Sequence, residues 1–278
     1  MIKGLILGTK ESASTYTTYL EQVRFFSKAE TVILSTDNPT IPYINFKNFN
    51  AIIFADCPKN IKPIIETAIK HQCNIYLTDQ KWLSSNITQQ WLSIQREANN
   101  LFFCEIPELA NPLTEDFLQT YNQTQLIQYE KNIVRRIDIR QTLINALSFI
   151  CLTNTFRVKK IDINSMDTTL KGKPIYKIRL KMFDHSIAYI ILKQTTRKEH
   201  HMMFQTQKEK FTFNFSQFYI ENPNRVKFTC EPFTYNELIV KNIELFALNI
   251  IQNKPPAYTL FHYNSVLNII DKIENILT

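Results

Sequence analysis

Glycine is nearly absent. The 278-residue chain has three, Gly4, Gly8 and Gly172, about 1% where ~7% is ordinary. Glycine-rich phosphate loops need backbone that meets a ligand with no Cβ in between, so this chain builds at most a depleted one. Paired cysteines are missing as well. Cys57, Cys73, Cys104, Cys151 and Cys230 are odd in number and widely spaced, with no Cys-x-x-Cys among them. That argues against a disulfide framework or zinc knuckle and for reduced, mostly buried thiols. No apolar run reaches the ~18 residues of a membrane span. The opening run Met1–Gly8 is too short for a signal peptide, and no small-residue cleavage site follows it, so a cytoplasmic protein is expected. Neither a G-x-S-x-G elbow nor a P-loop occurs, which leaves nothing to suggest a hydrolase or kinase. The net charge is +7, from 32 Lys+Arg against 25 Asp+Glu. These charges are scattered, and Arg197-Lys198-Glu199-His200-His201 is the longest mixed run. Such a pattern suits solvated faces better than a phosphate-tracking stripe, and no nucleic-acid partner is expected.

What is present is a folded composition, 44% hydrophobic and 21% charged, with strand and helix signals alternating through the first third. Ile2 to Leu7 is an apolar run suited to a strand buried on both faces. A helix over 12–26 follows, with Tyr16, Tyr19, Leu20 and Val23 at helical spacing. Strands are predicted at 31–34 and 51–55. A helix with Ile61, Ile64, Ile65, Ala68 and Ile69 on one face comes next, in which Pro63 is tolerable only in the first turn. Then come a strand at 75–77, a helix over 82–99 and a strand at 101–103. This alternation predicts a parallel sheet covered by helices. After Pro107 and Pro112 the pattern changes. Residues 113–155 read as mainly helical, with a Leu143, Leu147, Ile150 stripe, and 157–230 as strand-rich. Strands are expected at 175–182, 186–192, 202–204, 211–215 and 226–228, and helices at 236–251 and 263–277 close the chain. The expected architecture is α/β followed by α+β: a Rossmann-like parallel-sheet domain at 1–108, then an α+β domain with a largely antiparallel open sheet at 109–278.

This order of elements resembles the Gfo/Idh/MocA family, the glucose–fructose oxidoreductase and inositol dehydrogenase group, over nearly the whole chain. Ala51-Ile52-Ile53-Phe54-Ala55-Asp56-Cys57-Pro58, its following helix and Cys73-Asn74-Ile75-Tyr76-Leu77 look like that family's central strand–helix–strand. His201 to Glu209 looks like its E-I-x-G-T-x-G hairpin, and 237–256 with 263–277 like its closing helices. The resemblance implies NAD or NADP as cofactor, a small-molecule ligand and a homodimer formed through the second sheet. Phe211-Thr212-Phe213-Asn214-Phe215 is aromatic enough for such a face and equally suits a core strand.

The family's motifs carry over only in pieces. Its dinucleotide fingerprint G-x-G-x-x-G falls on Gly8-Thr9-Lys10-Glu11-Ser12-Ala13. Gly8 keeps the first glycine, Lys10 replaces the second, and Ala13 replaces the third, a harmless change. Lys10 either obstructs the phosphate or contacts it through its ammonium. Glu11 opposes an anion, whereas Ser12 as a cap and the helix N-terminus favour one. The same segment also suits a plain strand–helix turn. Asp37 is placed for ribose hydroxyls or for an ordinary Asp-Asn-Pro turn, and the resemblance adds Asp56 to the cofactor-binding positions. The E-K-P motif falls on Thr78, Asp79 and Gln80, so its lysine is lost. Lys81 substitutes for it only if the loop is rearranged, and is otherwise a surface lysine. D-x-x-x-H falls on Asp138 to Thr142, so the histidine has become threonine. Removing hydride from a carbinol carbon needs a base for the hydroxyl proton, which threonine alone does not supply. Asp138 is a base or a helix cap. The five histidines are scattered, and the adjacent His200 and His201 face opposite sides of a strand, so no metal is expected. Two readings follow: a catalytically degenerate homologue that binds a ligand or mediates assembly, or an active, divergent NAD(P)-dependent dehydrogenase of a sugar or cyclitol.

Overall fold

The structure, a computed structural model, describes residues 1–27, 29–34, 43–56, 58–78, 82–111, 114, 125–133, 139–153, 157–168, 173–194, 199–205, 210–214, 219–221, 227–229 and 233–277. By contact the chain divides into two compact units, Met1–Ala110 with Thr234–Leu267, and Asn111–Phe233 with Asn268–Thr278. The division is therefore not a single cut, because the chain returns to its first unit near the end.

The first unit holds the predicted parallel sheet. Its strands are β1 (Gly4–Gly8), β2 (Glu30–Ile33), β3 (Ala51–Ala55), β4 (Asn74–Leu77) and β5 (Phe102–Cys104), in the order β2-β1-β3-β4-β5 and parallel throughout. Every residue of β1 and β3 is buried, as expected of strands covered on both faces. Ile6, Ile53 and Tyr76 form one core with α1 (Lys10–Glu21) and the helix Tyr235–Gln252, which contributes Ile239, Ile243, Phe246 and Ala247. Two further helices are α2 (Lys62–Lys70) and α3 (Ser85–Ala98). Trp91 of α3 is fully buried and stacks on Phe102, centroids 5.8 Å apart. Pro63 lies in the first turn of α2, where its missing N–H removes no helical bond.

The scarcity of glycine shows in the backbone. Asp56, Gln72, Asn99, His185 and Asn253 all adopt positive φ, a region that glycine enters without steric cost. Gln72 sits at the end of α2 where a glycine is usual. Its N–H bonds to Ile69 O, and the next N–H, of Cys73, bonds to Ala68 O, the paired pattern that closes a helix through a left-handed residue.

The second unit is built on an eight-stranded sheet. Its strands are β6 (Leu126–Ile133), β7 (Val158–Thr168), β8 (Lys173–Met182), β9 (Ile187–Gln194), β10 (Glu199–Gln205), β11 (Lys210–Asn214), β12 (Tyr219–Glu221) and β13 (Lys227–Thr229). The order is β13-β12-β11-β10-β6-β9-β8-β7, with β6 and β9 the parallel pair and the other neighbours antiparallel. One face buries Ile127, Tyr129, Ile178, Leu180, Met182, Ala188, Ile190, Leu192, Met202 and Phe204. On the other, Lys177 and Arg179 are exposed and Tyr189 and Ile191 half-buried. α4 (Ile139–Thr153) carries buried Leu143, Leu147, Phe149 and Ile150, and Phe149 packs on Phe204. β6 corrects the expectation of a mainly helical 113–155. It is an eight-residue strand in mid-sheet, flanked by β9 and β10. Two more helices among the described residues are α5 (Tyr235–Gln252) and α6 (Leu260–Leu277). Among the described residues no helix is long and apolar enough to cross a membrane.

Candidate functional site

In an open parallel sheet, ligands enter at the carboxyl ends of the strands where the connection changes direction. Here the chain leaves β1 toward β2 and returns to β3 on the other side of β1. The crevice therefore lies between the ends of β1 and β3, at Gly8 and Ala55. The structure gathers Gly8, Thr9, Lys10, Ser12 and Asp56 there.

The Thr9 and Ser12 side chains are turned inward there, on one another and on Ala55. Gly8 needs no left-handed backbone. A Cβ on it would stand 2.2 Å from Ala55 O and 2.8 Å from Ser12 Oγ, so the glycine provides room for β3. Thr9 is the N-cap of α1, its hydroxyl accepting from Ser12 N at 3.4 Å. Ser12 Oγ donates to Ala55 O at 2.8 Å and lies 2.8 Å from Thr9 Oγ1. With the one Ser12 hydroxyl proton on Ala55, the Thr9 hydroxyl is the donor of the second bond. The three groups thus close a chain running from α1 to the end of β3. Lys10 and Glu11 are exposed on the first turn, and Ala13 is fully buried against the sheet, as the third fingerprint position requires.

Asp56 ends β3 with φ 49° and is exposed. Its N–H donates to Thr78 Oγ1 at 3.1 Å. Thr78, at the position of the E-K-P glutamate, is buried, and its N–H bonds to Phe54 O at 3.2 Å. It fastens the ends of β3 and β4 together. Thr142 lies in α4 of the second unit, 6% exposed. Asp37, Lys81 and Asp138 lie outside the described residues.

One feature of this edge was absent from the sequence reading. Glu105, just beyond β5, is 8% exposed. It accepts from Tyr16 OH of α1 at 2.6 Å and from Tyr76 OH of β4 at 2.7 Å. Burial, and then the adjacent carboxylate, hold both phenols far above their ordinary pKa, so both remain donors. Tyr19 OH donates to Asn236 Oδ1 at 2.9 Å, a second polar tie from α1, in this case to α5. No local pattern announces the first cluster, because its members are 89 and 29 residues apart.

A separate surface groove of about 500 Å³ lies beyond the opposite, N-terminal edge of the sheet, among Phe46, Lys47, Thr67 and His71. The Phe46 and His71 rings stack at 5.8 Å. Among the described residues no three His, Cys, Asp or Glu side chains gather in a way that could hold a metal.

No family model matches the sequence, and no curated protein matches it significantly. Solved structures do match. The UDP-N-acetylglucosamine 3-dehydrogenase of Acidithiobacillus ferrooxidans is 10% identical with a TM-score of 0.80, over 98% of this chain and 96% of that one. A dehydrogenase from Clostridium difficile is 12% identical with a TM-score of 0.75, over 99% of both chains. The chain shares the fold of these proteins. Biliverdin reductase from a Synechocystis, solved with biliverdin and NADP+, shares this fold as well, at 13% identity and a TM-score of 0.69 over 99% and 98%. The fold expected from the Gfo/Idh/MocA resemblance is thus the one the chain adopts; the dinucleotide is what that resemblance implies. The residues at the first crevice do not fit that group. At the start of the helix the Thr9 hydroxyl accepts from the Ser12 N–H, and the second glycine that lets backbone approach a phosphate is Lys10.

Proposed function

We propose that this protein is a Gfo/Idh/MocA-like oxidoreductase homologue that has lost hydride transfer and serves as a cytoplasmic ligand-binding or assembly protein. The carrying observation is Thr142. Where the resemblance places a histidine, the chain has a hydroxyl buried on α4. A general base works best with a pKa near the operating pH, and an aliphatic hydroxyl is many units removed from that. Thr78 supports the same reading, since the residue in the E-K-P glutamate position is a buried strand tie. The dinucleotide, NAD or NADP in the resemblance, is lost with the chemistry, and no metal replaces it.

For the assembly role, the side of the second sheet that carries exposed Lys177 and Arg179 pairs with the same side of a second copy. Sedimentation at high micromolar concentration should give a dimer, and a monomer there eliminates sheet pairing.

The whole-length overlap with dehydrogenases favours one alternative, an active NAD(P)-dependent enzyme on a sugar or cyclitol in which Lys81 and Asp138 supply the missing groups. Absorbance at 340 nm separates the two. Purified protein with NAD+ or NADP+ and a panel of sugars, nucleotide sugars and cyclitols should give no turnover above a no-protein control. Turnover abolished by Lys81→Ala or Asp138→Asn would establish the enzyme instead.

A further inference from the structure

We infer that the β1–α1 turn is a closed polar knot that excludes a dinucleotide pyrophosphate, and that Thr9 and Lys10 are the residues that close it. This deepens the reading of a degenerate homologue and rests on it.

An anion at a helix start is held by first-turn N–H groups that lack helical partners, assisted by the positive end of the helix dipole. The Ala13 N–H makes the first ordinary helical bond, to Thr9 O at 2.8 Å, so the donor at stake is the Ser12 N–H. The Ser12 N–H is taken by Thr9 Oγ1. A side-chain cap and a bound anion compete for the same donors, and the cap is covalently tethered. Lys10 and Glu11 begin the helix with side chains of opposite charge, so the first-turn side chains add no net charge to the helix dipole's attraction for a phosphate.

The crevice is narrowed from the other side too. Ser12 Oγ reaches across it to the last carbonyl of β3, and Gly8 packs so closely on that carbonyl that no Cβ fits. In a dinucleotide site the first glycine shapes a turn beneath the ligand. Here the glycine that survives is required by the contact between β1 and β3, which explains its retention in a chain with so few. At the second position Lys10 contributes a Cβ and a long side chain where bare backbone would face the pyrophosphate.

Isothermal titration of the full chain with NADH and with NADPH tests this. Wild-type protein should show no saturable binding up to millimolar ligand. Thr9→Gly/Lys10→Gly frees the Ser12 N–H and removes the Cβ, and should bring the Kd into the ~0.1 mM range, a gain of at least about tenfold. Glycine is well tolerated at an N-cap in place of threonine. Should the double variant fail to fold, Thr9→Gly alone is titrated and should show the same gain in weaker form. Saturable binding by wild type overturns the inference, and so does a folded variant as silent as wild type. Binding by wild type without turnover removes the knot and the loss of the dinucleotide but leaves the loss of hydride transfer standing, whereas turnover removes that as well.

Discussion

Gly8 and Gly4 occupy one buried strand but answer to different neighbours. At Gly8 the missing Cβ is replaced by backbone, the Ala55 carbonyl at 2.2 Å, whereas at Gly4 the nearest atom is a Phe26 ring carbon at 3.2 Å. A ring edge gives way by a small rotation. A carbonyl paired into the same parallel sheet cannot move without parting β1 from β3. Gly8→Ala should therefore destabilise the first unit by about 1–3 kcal/mol or more, the usual cost of overpacking, and Gly4→Ala by clearly less. Comparing the two melting temperatures checks this; equal losses would remove the steric account of Gly8. The same residue shows what a sequence withholds. Gly8 is recognisable as the turn glycine of a strand–helix unit from its place after Ile2–Leu7. The reason for it lies 47 residues away at Ala55 and belongs to packing. Glu105 is less legible still, since nothing in Leu101 to Pro107 names Tyr16 and Tyr76 as its donors.

At the scale of the element, legibility followed the strength of the local pattern. Ala51–Ala55 appears as expected because a short, wholly apolar run has few alternatives to a buried parallel strand. β6 carries only a weak strand pattern, because its in-facing residues Ile127 and Tyr129 stand among polar neighbours. Its partners β9 and β10 begin more than fifty residues later, so the ladder that makes it a strand is wholly non-local. Helix starts are written more plainly. Thr234 and Glu237 form a reciprocal capping box at α5, which draws the Glu237 carboxyl below its usual pKa. α6 starts with a variant of the same device, Thr259 with His262 in the glutamate's place. His262 Nδ1 accepts from Thr259 N at 3.1 Å. Burial lowers the His262 pKa, so the folded protein keeps the ring neutral where the unfolded chain begins to protonate it. Between the unfolded value near 6.5 and the lower folded value, the unfolded state binds more protons, and stability falls as pH falls. His262→Gln completes a Thr-x-x-Gln box without a titrating group. Melting temperature between pH 7.5 and 5 should drop less steeply in the variant than in wild type, and parallel curves would show that His262 does not contribute to the acid response.

For the whole molecule, the two-sheet architecture was legible because order and spacing of elements constrain topology more tightly than residue identity does. The return of α5 to the first unit was not, since it rests on Phe246 and Ile243 meeting Tyr76 and Tyr16 in one core. Fold and function separate at this scale. The fold is shared with solved dehydrogenases and a biliverdin reductase at 10–13% identity, while at the crevice between β1 and β3 the Thr9 and Ser12 hydroxyls bond to one another and to Ala55. The most direct test is thermal denaturation of the intact protein with NAD+, NADH, NADP+ and NADPH, each at millimolar concentration. A ligand at a hundred times its Kd adds about 2.7 kcal/mol, which in a protein of this size raises the melting temperature by several degrees. The account predicts curves superimposable on that of the protein alone, and a reproducible upward shift with any one of the four contradicts it.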